Sequence, residues 1–174
     1  ITNKDNKNIK SVVITFFPIP SAVLFKSEFK GHLTSKNQKI SKIKNIEIDV
    51  LCVLRFDDKL KTLSADDFLR KIVNAFSPSV FALGYNHFFG YQKKGDLAFL
   101  RERGEKYSFE VVSIPEIKYL KKDAVSSSKI RKFLEAGKIS QANRLLGYNY
   151  SIEGEVLPGK GLGKKIGFPT ANIS

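Results

Sequence analysis

Apolar residues fall along this chain in two alternating rhythms. Four short runs, Ser11 to Phe17, Asp49 to Phe56, Ser79 to Leu83 and Phe109 to Ile114, are rich in Val, Ile, Leu and Phe. Runs of this length and composition predict buried strands. The first stops at Pro18-Ile19-Pro20, where a missing N–H ends any ladder, and the third runs into Gly84. Between the runs the period lengthens. Gln38 to Ile46 is weakly amphipathic through Ile40, Ile43 and Ile46. After Ser64, the residues Phe68, Leu69, Ile72, Val73 and Phe76 form the inward stripe of a helix, with Ser64 placed to cap it and Asp67 at the third helical position. Leu97 to Lys106 can carry a further helix. Strands alternating with helices predict βαβ units and a parallel sheet, whose ligands sit beyond the carboxyl ends of the strands. Three such ends carry unusual chemistry: Pro18-Ile19-Pro20, Gly84 to Gly90, and the segment after Ile114.

From Ser126 the character changes. One helix opens at Ser126-Ser127-Ser128, turns Ile130, Phe133 and Leu134 inward and stops at Gly137; a second runs from Ser140 to Leu146 and stops at Gly147. Tyr150 to Val156 alternates like a strand and leads into a glycine-rich loop. These signals place a domain boundary near residues 147–149.

Composition narrows the class. Of 174 residues, 42% are hydrophobic and 27% charged, the balance of a globular protein rather than a disordered one. No run approaches the ~20 apolar residues of a membrane span, and the start lacks the layout of a signal peptide. The single Cys52 lies inside an apolar stretch, as core filler first and a reactive thiol second; being alone it can form neither an internal disulfide nor a thiolate cluster, and a cytoplasmic protein is expected. The chain has no Met and begins at Ile1, which reads as a processed chain or a fragment. Its net charge is +13, yet only six of the 30 basic residues are Arg, the side chain best suited to reading phosphates and bases. Dispersed lysines fit a solvated surface first, attraction of anionic small substrates second and nucleic-acid binding third. Basic pairs stand at Lys93-Lys94, Lys121-Lys122 and Lys164-Lys165.

Three motifs carry candidate chemistry. Ser126-Ser127-Ser128-Lys129-Ile130-Arg131 joins hydroxyls, the free N–H groups of a helix start and two cations: an anion site, or plain capping by one serine beside two solvated neighbours. In Gly84-Tyr85-Asn86-His87-Phe88-Phe89-Gly90, the glycine after a strand admits a ligand to the backbone, Asn86 both donates and accepts, and the rings can stack on a planar group or fill a core. Neither His87 nor His32 has the spacing of a zinc ligand. Gly159 to Asn172 has the glycines of a phosphate loop without the G-K-[ST] ending of a Walker sequence, so it is either a nucleotide loop or a flexible hairpin; Thr170 and Asn172 offer oxygens two residues apart, suited to Mg²⁺ and phosphate.

In this order and spacing the motifs resemble the bacterial bifunctional riboflavin kinase/FMN adenylyltransferases, or FAD synthetases. Thr15-Phe16-Phe17-Pro18-Ile19-Pro20 is similar to the family's T-F-x-P-H-P. Gly84 to Gly90 is similar to G-x-[DN]-x-x-F-G, followed by Gly95-Asp96. Ser126 to Arg131 resembles S-S-T-x-I-R, Ala142 to Gly147 resembles A-N-x-x-L-G, and Gly163 to Asn172 resembles the flavokinase start that ends in G-F-P-T-A-N. The resemblance implies a Rossmann-like α/β nucleotidyltransferase domain with a parallel sheet over residues 1–147, lacking its first strand, and the start of a flavokinase β-barrel over 148–174. It implies ATP, FMN, FAD and riboflavin as substrates or products with Mg²⁺ as cofactor, and neither nucleic acid nor membrane as partner. Ser127, Ser128, Arg131, Gly84 and Asn86 would bind nucleotide, with Arg131 and Asn86 as catalytic groups. Phe16, Pro20 and Phe89 would line the flavin cleft. Gly163, Lys165, Gly167, Pro169, Thr170 and Asn172 would bind ATP in the kinase module, the last two residues reaching the metal.

The departures are specific. Ile19 stands where the family has His, and Ser128 where it has Thr, which keeps the hydroxyl. The family's G-x-F-D-G-x-H-x-G-H strand is expected upstream of Ile1 and the remaining barrel with its catalytic Glu downstream of Ser174, so the 174 residues alone are expected to have neither activity at a normal rate. A related nucleotidyltransferase acting on another phosphorylated cofactor, and a basic nucleic-acid-binding module with steeply salt-dependent affinity, are the competing readings.

Overall fold

The structure is a computed structural model that describes residues 9–119, 123–159 and 161–173; Lys121, Lys122 and Lys160, members of basic or glycine-rich motifs, lie outside the described residues. The elements run β1 (Val12–Phe16), α1 (Pro20–Leu24), α2 (Lys36–Lys44), β2 (Val50–Leu54), α3 (Asp58–Thr62), α4 (Ala65–Phe76), β3 (Val80–Gly84), a 3₁₀ turn (Tyr91–Lys93), α5 (Leu97–Tyr107), β4 (Glu110–Ile114), β5 (Lys118–Tyr119), β6 (Asp123–Ala124), α6 (Ser127–Glu135), α7 (Ile139–Leu146), β7 (Val156–Leu157), α8 (Leu162–Lys165) and β8 (Asn172–Ile173). They form two compact units, one of residues 1–31 and 41–125, the other of residues 32–40 and 126–174.

In the first unit the strands pair in parallel, as the alternation of apolar rhythms predicts. β1 runs beside β2 in register from Val12 opposite Val50 to Phe16 opposite Leu54. A clamp starts the pair: the Ser11 N–H and hydroxyl both donate to Asp49 Oδ2 at 2.7 Å, and the Asp49 N–H donates to Ser11 Oγ at 2.9 Å. Led by the serine hydroxyl, these bonds hold the Asp49 carboxyl below its ordinary pKa. β3 runs beside β4 from Val80 opposite Glu110 to Gly84 opposite Ile114. The parallel order is therefore present as two separate pairs. Among the described residues no ladder joins β1 to β3. Val12, Ile14 and Phe16 of β1 and Val80 to Gly84 of β3 instead face a cavity of about 280 Å³, walled by Phe68, Leu69 and Ile72 of α4.

The capped helices explain where the core sits. Ser64 Oγ accepts from the Asp67 N–H at 3.0 Å and donates to the Asp67 carboxylate at 2.7 Å, starting α4 as the sequence predicts. Asp96 Oδ1 accepts from the Phe99 N–H at 2.8 Å and starts α5. Leu69, Leu100 and Phe109 form the buried centre, with Phe81, Phe99 and Val111 packed against it. Arg103 on α5 donates to Asp66 on α4 at 3.0 Å, which ties the two helices and lowers the Asp66 pKa.

In the second unit α6 packs on α7 through the buried Ile130 and Ala142. Gly147 caps α7 at φ +76°, a conformation natural to glycine, and donates its N–H to Asn143 O at 2.9 Å. The strand expected over Tyr150 to Val156 shrinks to Val156–Leu157, which pairs antiparallel with β8. The Tyr150 N–H donates to the Asn143 side chain at 2.8 Å and the Ser151 carbonyl accepts from Gln38, so those backbone groups are spent on side chains instead of a ladder.

Candidate functional site

The loop Gly84 to Gly90 leaves the carboxyl end of β3. The Tyr85 N–H donates to Ile114 O at 2.9 Å, so the ladder continues one residue past the strand, and the His87 N–H then turns back to Gly84 O at 3.0 Å. Tyr85 Oη donates to Glu116 Oε1 at 2.8 Å, which raises the phenol pKa and ties the loop to the exit of β4. At its far end Phe89 and Gly95 exchange two backbone bonds of 2.9 Å, and the Tyr91 N–H donates to Leu63 O at 2.7 Å. Gly90 (φ +72°) lies so close to Ala65 at the head of α4 that a Cβ would collide with backbone, so glycine is required there. Gly84 differs: a Cβ would meet only the His87 Cβ, at an ordinary 3.8 Å. Among the described residues no neighbour demands glycine there.

Phe16, Gly84 and Phe89 come together on the wall of the cavity, with His87 beside them. Phe89 packs between Phe68 at 5.6 Å and Phe99 at 5.8 Å, and Phe16 packs against Phe56 at 5.9 Å and Phe68 at 6.4 Å. Both rings belong to an aromatic row under the loop, whereas Tyr85 and Phe88 keep exposed faces and Asn86 is exposed between them. Of the rings that the sequence offers for stacking or for the core, Phe89 is packed and Phe88 is exposed. Partial burial lowers the His87 pKa although the residue retains solvent contact. Pro20 opens α1, its fixed φ suited to a first helical position, after a cis bond between Phe17 and Pro18.

Ser127, Ser128 and Arg131 lie in the second unit. Ser126 is the cap: its Oγ accepts from the Lys129 N–H at 3.3 Å. Ser127 and Ser128 occupy the first turn of α6 with exposed side chains, so capping and a free pair of hydroxyls coexist. His32 stands close enough to Lys39 and Arg131 for their charges to add to burial in lowering its pKa. An exposed His32 and the partly buried Lys39 and Arg131 thus bring positive charge to the first turns of α6. Neither His32 nor Lys39 was foreseen in this role, since both are brought in from the segment before β2.

The glycine-rich motif folds partly as a helix, α8, that the sequence does not predict. The Phe168 N–H donates to Gly163 O at 2.8 Å, and any side chain on Gly163 would collide with that same Phe168 backbone. Gly167 sits at φ +81°. The Asn172 carboxamide rests against Gly159, where a Cβ would collide with it. Lys165 closes the last turn of α8, and Pro169 and Thr170 lead into β8, all with exposed side chains. The apolar residues here are uncovered, Phe168 at 75% exposure. Among the described residues no three His, Cys, Asp or Glu side chains cluster as metal ligands, and no helix is long and apolar enough to cross a membrane.

Comparison with known proteins decides among the readings. The FAD synthetase family model matches residues 1–129. The chain belongs to that family. The riboflavin kinase model follows over residues 146–174. Similar curated relatives named bifunctional riboflavin kinase/FMN adenylyltransferase include those of Buchnera aphidicola from Schizaphis graminum, 36% identical over 96% of this chain and 54% of the relative, and of Listeria monocytogenes, 32% identical over 96% and 53%. The Escherichia coli K12 relative is 28% identical over 96% of this chain and 53% of its own length. The chain thus spans about half the length of the curated relatives it matches. A crystal structure of a Streptococcus pneumoniae protein named as a macrolide-efflux protein superposes with a TM-score of 0.74 at 26% identity, covering 94% of this chain and 53% of that one.

Proposed function

We propose that this FAD synthetase chain belongs to a cytoplasmic enzyme that adenylylates FMN to FAD, coupled in one polypeptide to phosphorylation of riboflavin. The observation that carries the reading is the order of the two family matches, FAD synthetase over residues 1–129 followed by riboflavin kinase over 146–174. In adenylyl transfer an FMN phosphate oxygen forms a bond to the ATP α-phosphorus while the bond from that phosphorus to the bridging oxygen breaks, releasing pyrophosphate. Such a transfer depends on positioning and charge stabilisation. Ser127 and Ser128, with the N–H groups of the α6 start and Arg131, are suited to hold the phosphates; Asn86, beside the exposed Tyr85 and Phe88, is suited to orient the second substrate at the end of β3.

In the kinase segment, Thr170 and Asn172 present neutral oxygens on the approach to and start of β8. Neutral donors fit a Mg²⁺ ion that arrives with ATP phosphates supplying the negative charge, which it would partly neutralise during transfer. Phe16, Pro20 and Phe89 wall the proposed flavin side. The open edges of β1 and β3, facing one apolar cavity, support the further reading that one more strand of this domain belongs between them. Incubating the full-length protein with FMN, ATP and Mg²⁺ should yield FAD and pyrophosphate in equal amounts; absence of FAD under conditions where the protein is folded would overturn the proposal.

A further inference from the structure

Among the described residues Gln38 is the buried polar side chain, 7% exposed, and its carboxamide faces two ways. On one side it completes a capping box at the start of α2: the Ser35 N–H donates to Gln38 Oε1 at 2.9 Å, and the Gln38 N–H donates to Ser35 Oγ at 3.1 Å. On the other, Gln38 Nε2 donates to the Ser151 carbonyl and to Ser151 Oγ, both at 3.2 Å. The two sides fix the amide's orientation, because a flipped group would set N–H against N–H and oxygen against oxygen. Capping alone asks only for an acceptor, which Glu provides equally well. An acceptor and a donor on one short neutral group is what the second contact adds.

Ser151 belongs to residues 149–155, which carry no regular secondary structure and lead from α7 to β7. Other side chains hold the same stretch: Asn143 on α7 donates to Asn149 Oδ1 at 3.1 Å and accepts from the Tyr150 N–H at 2.8 Å, and Ser35 Oγ donates to Glu153 Oε2 at 3.4 Å. Gln38 lies in the FAD synthetase match and Ser151 in the riboflavin kinase match. We infer that Gln38 is a positioning residue that locks the start of the riboflavin kinase segment onto the first turn of α2. The inference rests on the two-module reading above, but its test does not need either activity.

The test is native-state cleavage of the full-length protein by chymotrypsin after Tyr148 or Tyr150, with the products identified by mass. In Q38E the introduced carboxyl can mimic the amide only while protonated, when its O–H can donate to Ser151 O; ionised, it sets an oxygen against that carbonyl. The charged and titratable groups around this turn are Lys39 and His32, with Arg131 near His32, and Glu153 held by Ser35. At pH 8, where the introduced carboxyl is ionised, Q38E keeps the acceptor of the capping box and loses the donor to Ser151, so it should be cleaved at least about tenfold faster than wild type. S64A, which removes the cap of α4, supplies a comparable loss of stability and should leave the cleavage rate unchanged. A Q38E rate equal to that of wild type, or an equal rise in S64A, would overturn the inference. Should the full-length protein make no FAD while Q38E behaves as stated, the functional reading falls and the positioning role stands.

Discussion

At the scale of single residues, identical side chains in one motif have different work. Ser126 spends its oxygen on the Lys129 N–H, whereas Ser127 and Ser128 leave theirs exposed one and two positions further on. Arg131 stands one turn into the helix, near His32. A charge-assisted hydrogen bond contributes about 1.5–3 kcal/mol, so in the full-length protein Arg131→Ala should raise the ATP KM of adenylyl transfer roughly tenfold or more. Riboflavin phosphorylation, assigned to the other segment, should change little. Steady-state kinetics of both reactions on one preparation checks this, and an equal loss in both would count against the assignment. Asn143 and Gln38 show the same economy: one carboxamide of Asn143 holds both Asn149 and Tyr150, and that of Gln38 serves the start of α2 and the Ser151 backbone.

At the scale of elements, the serine run separates stability from binding. Ser126→Ala should cost about 1 kcal/mol, the usual worth of a cap, read as a lower Tm, while Ser128→Ala should leave Tm nearly unchanged and raise the ATP KM; the reverse pattern would show that the two hydroxyls had been assigned the wrong roles. Elements of this kind were legible in the sequence where one local rule decided them. β1 to β4 announce themselves as apolar runs, α4 by its stripe and its Ser64 cap, and α7 by Gly147. The candidate site was readable only as motifs, Gly84 to Gly90 and Ser126 to Arg131, because each is contiguous. What escaped was set by contacts between distant segments. The strand expected over Tyr150 to Val156 was lost to Asn143 and Gln38, a competition that alternation cannot register. The capping box Ser35-Lys36-Asn37-Gln38 was readable as S-x-x-Q, but the donor half of Gln38 was not, since its partner lies 113 residues away. Nor could periodicity show that Phe89 belongs to the aromatic row while Phe88 faces out, as both sit in an irregular loop. The short α1, α3 and α8 and the β5–β6 hairpin lie below the length at which a period can be counted.

At the scale of the molecule, two features pull in different directions. A net charge of +13 is spread over many lysines, and among the described residues Arg131, Lys39 and His32 come close enough for their charges to act on one another. The cavity between β1 and β3 works the other way. Among the described residues no ladder joins the two parallel pairs, and both line one apolar space of about 280 Å³, with Val12, Ile14, Phe81, Leu83 and the inward face of α4 on its wall. Unpaired edges and uncovered apolar side chains are the conditions for dye binding and edge-to-edge association. If a further strand of the longer protein fills this space, the 174-residue chain should bind 8-anilinonaphthalene sulfonate strongly and self-associate with concentration, and the full-length protein should do neither. Widening the cavity with Ile14→Ala should then raise dye fluorescence in the short chain while, in the full-length protein, it registers chiefly as a loss of stability of about 2–5 kcal/mol, the usual cost of truncating a buried Ile. Equal dye binding by the two forms would mean that the space is a feature of the complete fold, and that β1 and β3 face each other across it without a partner between them.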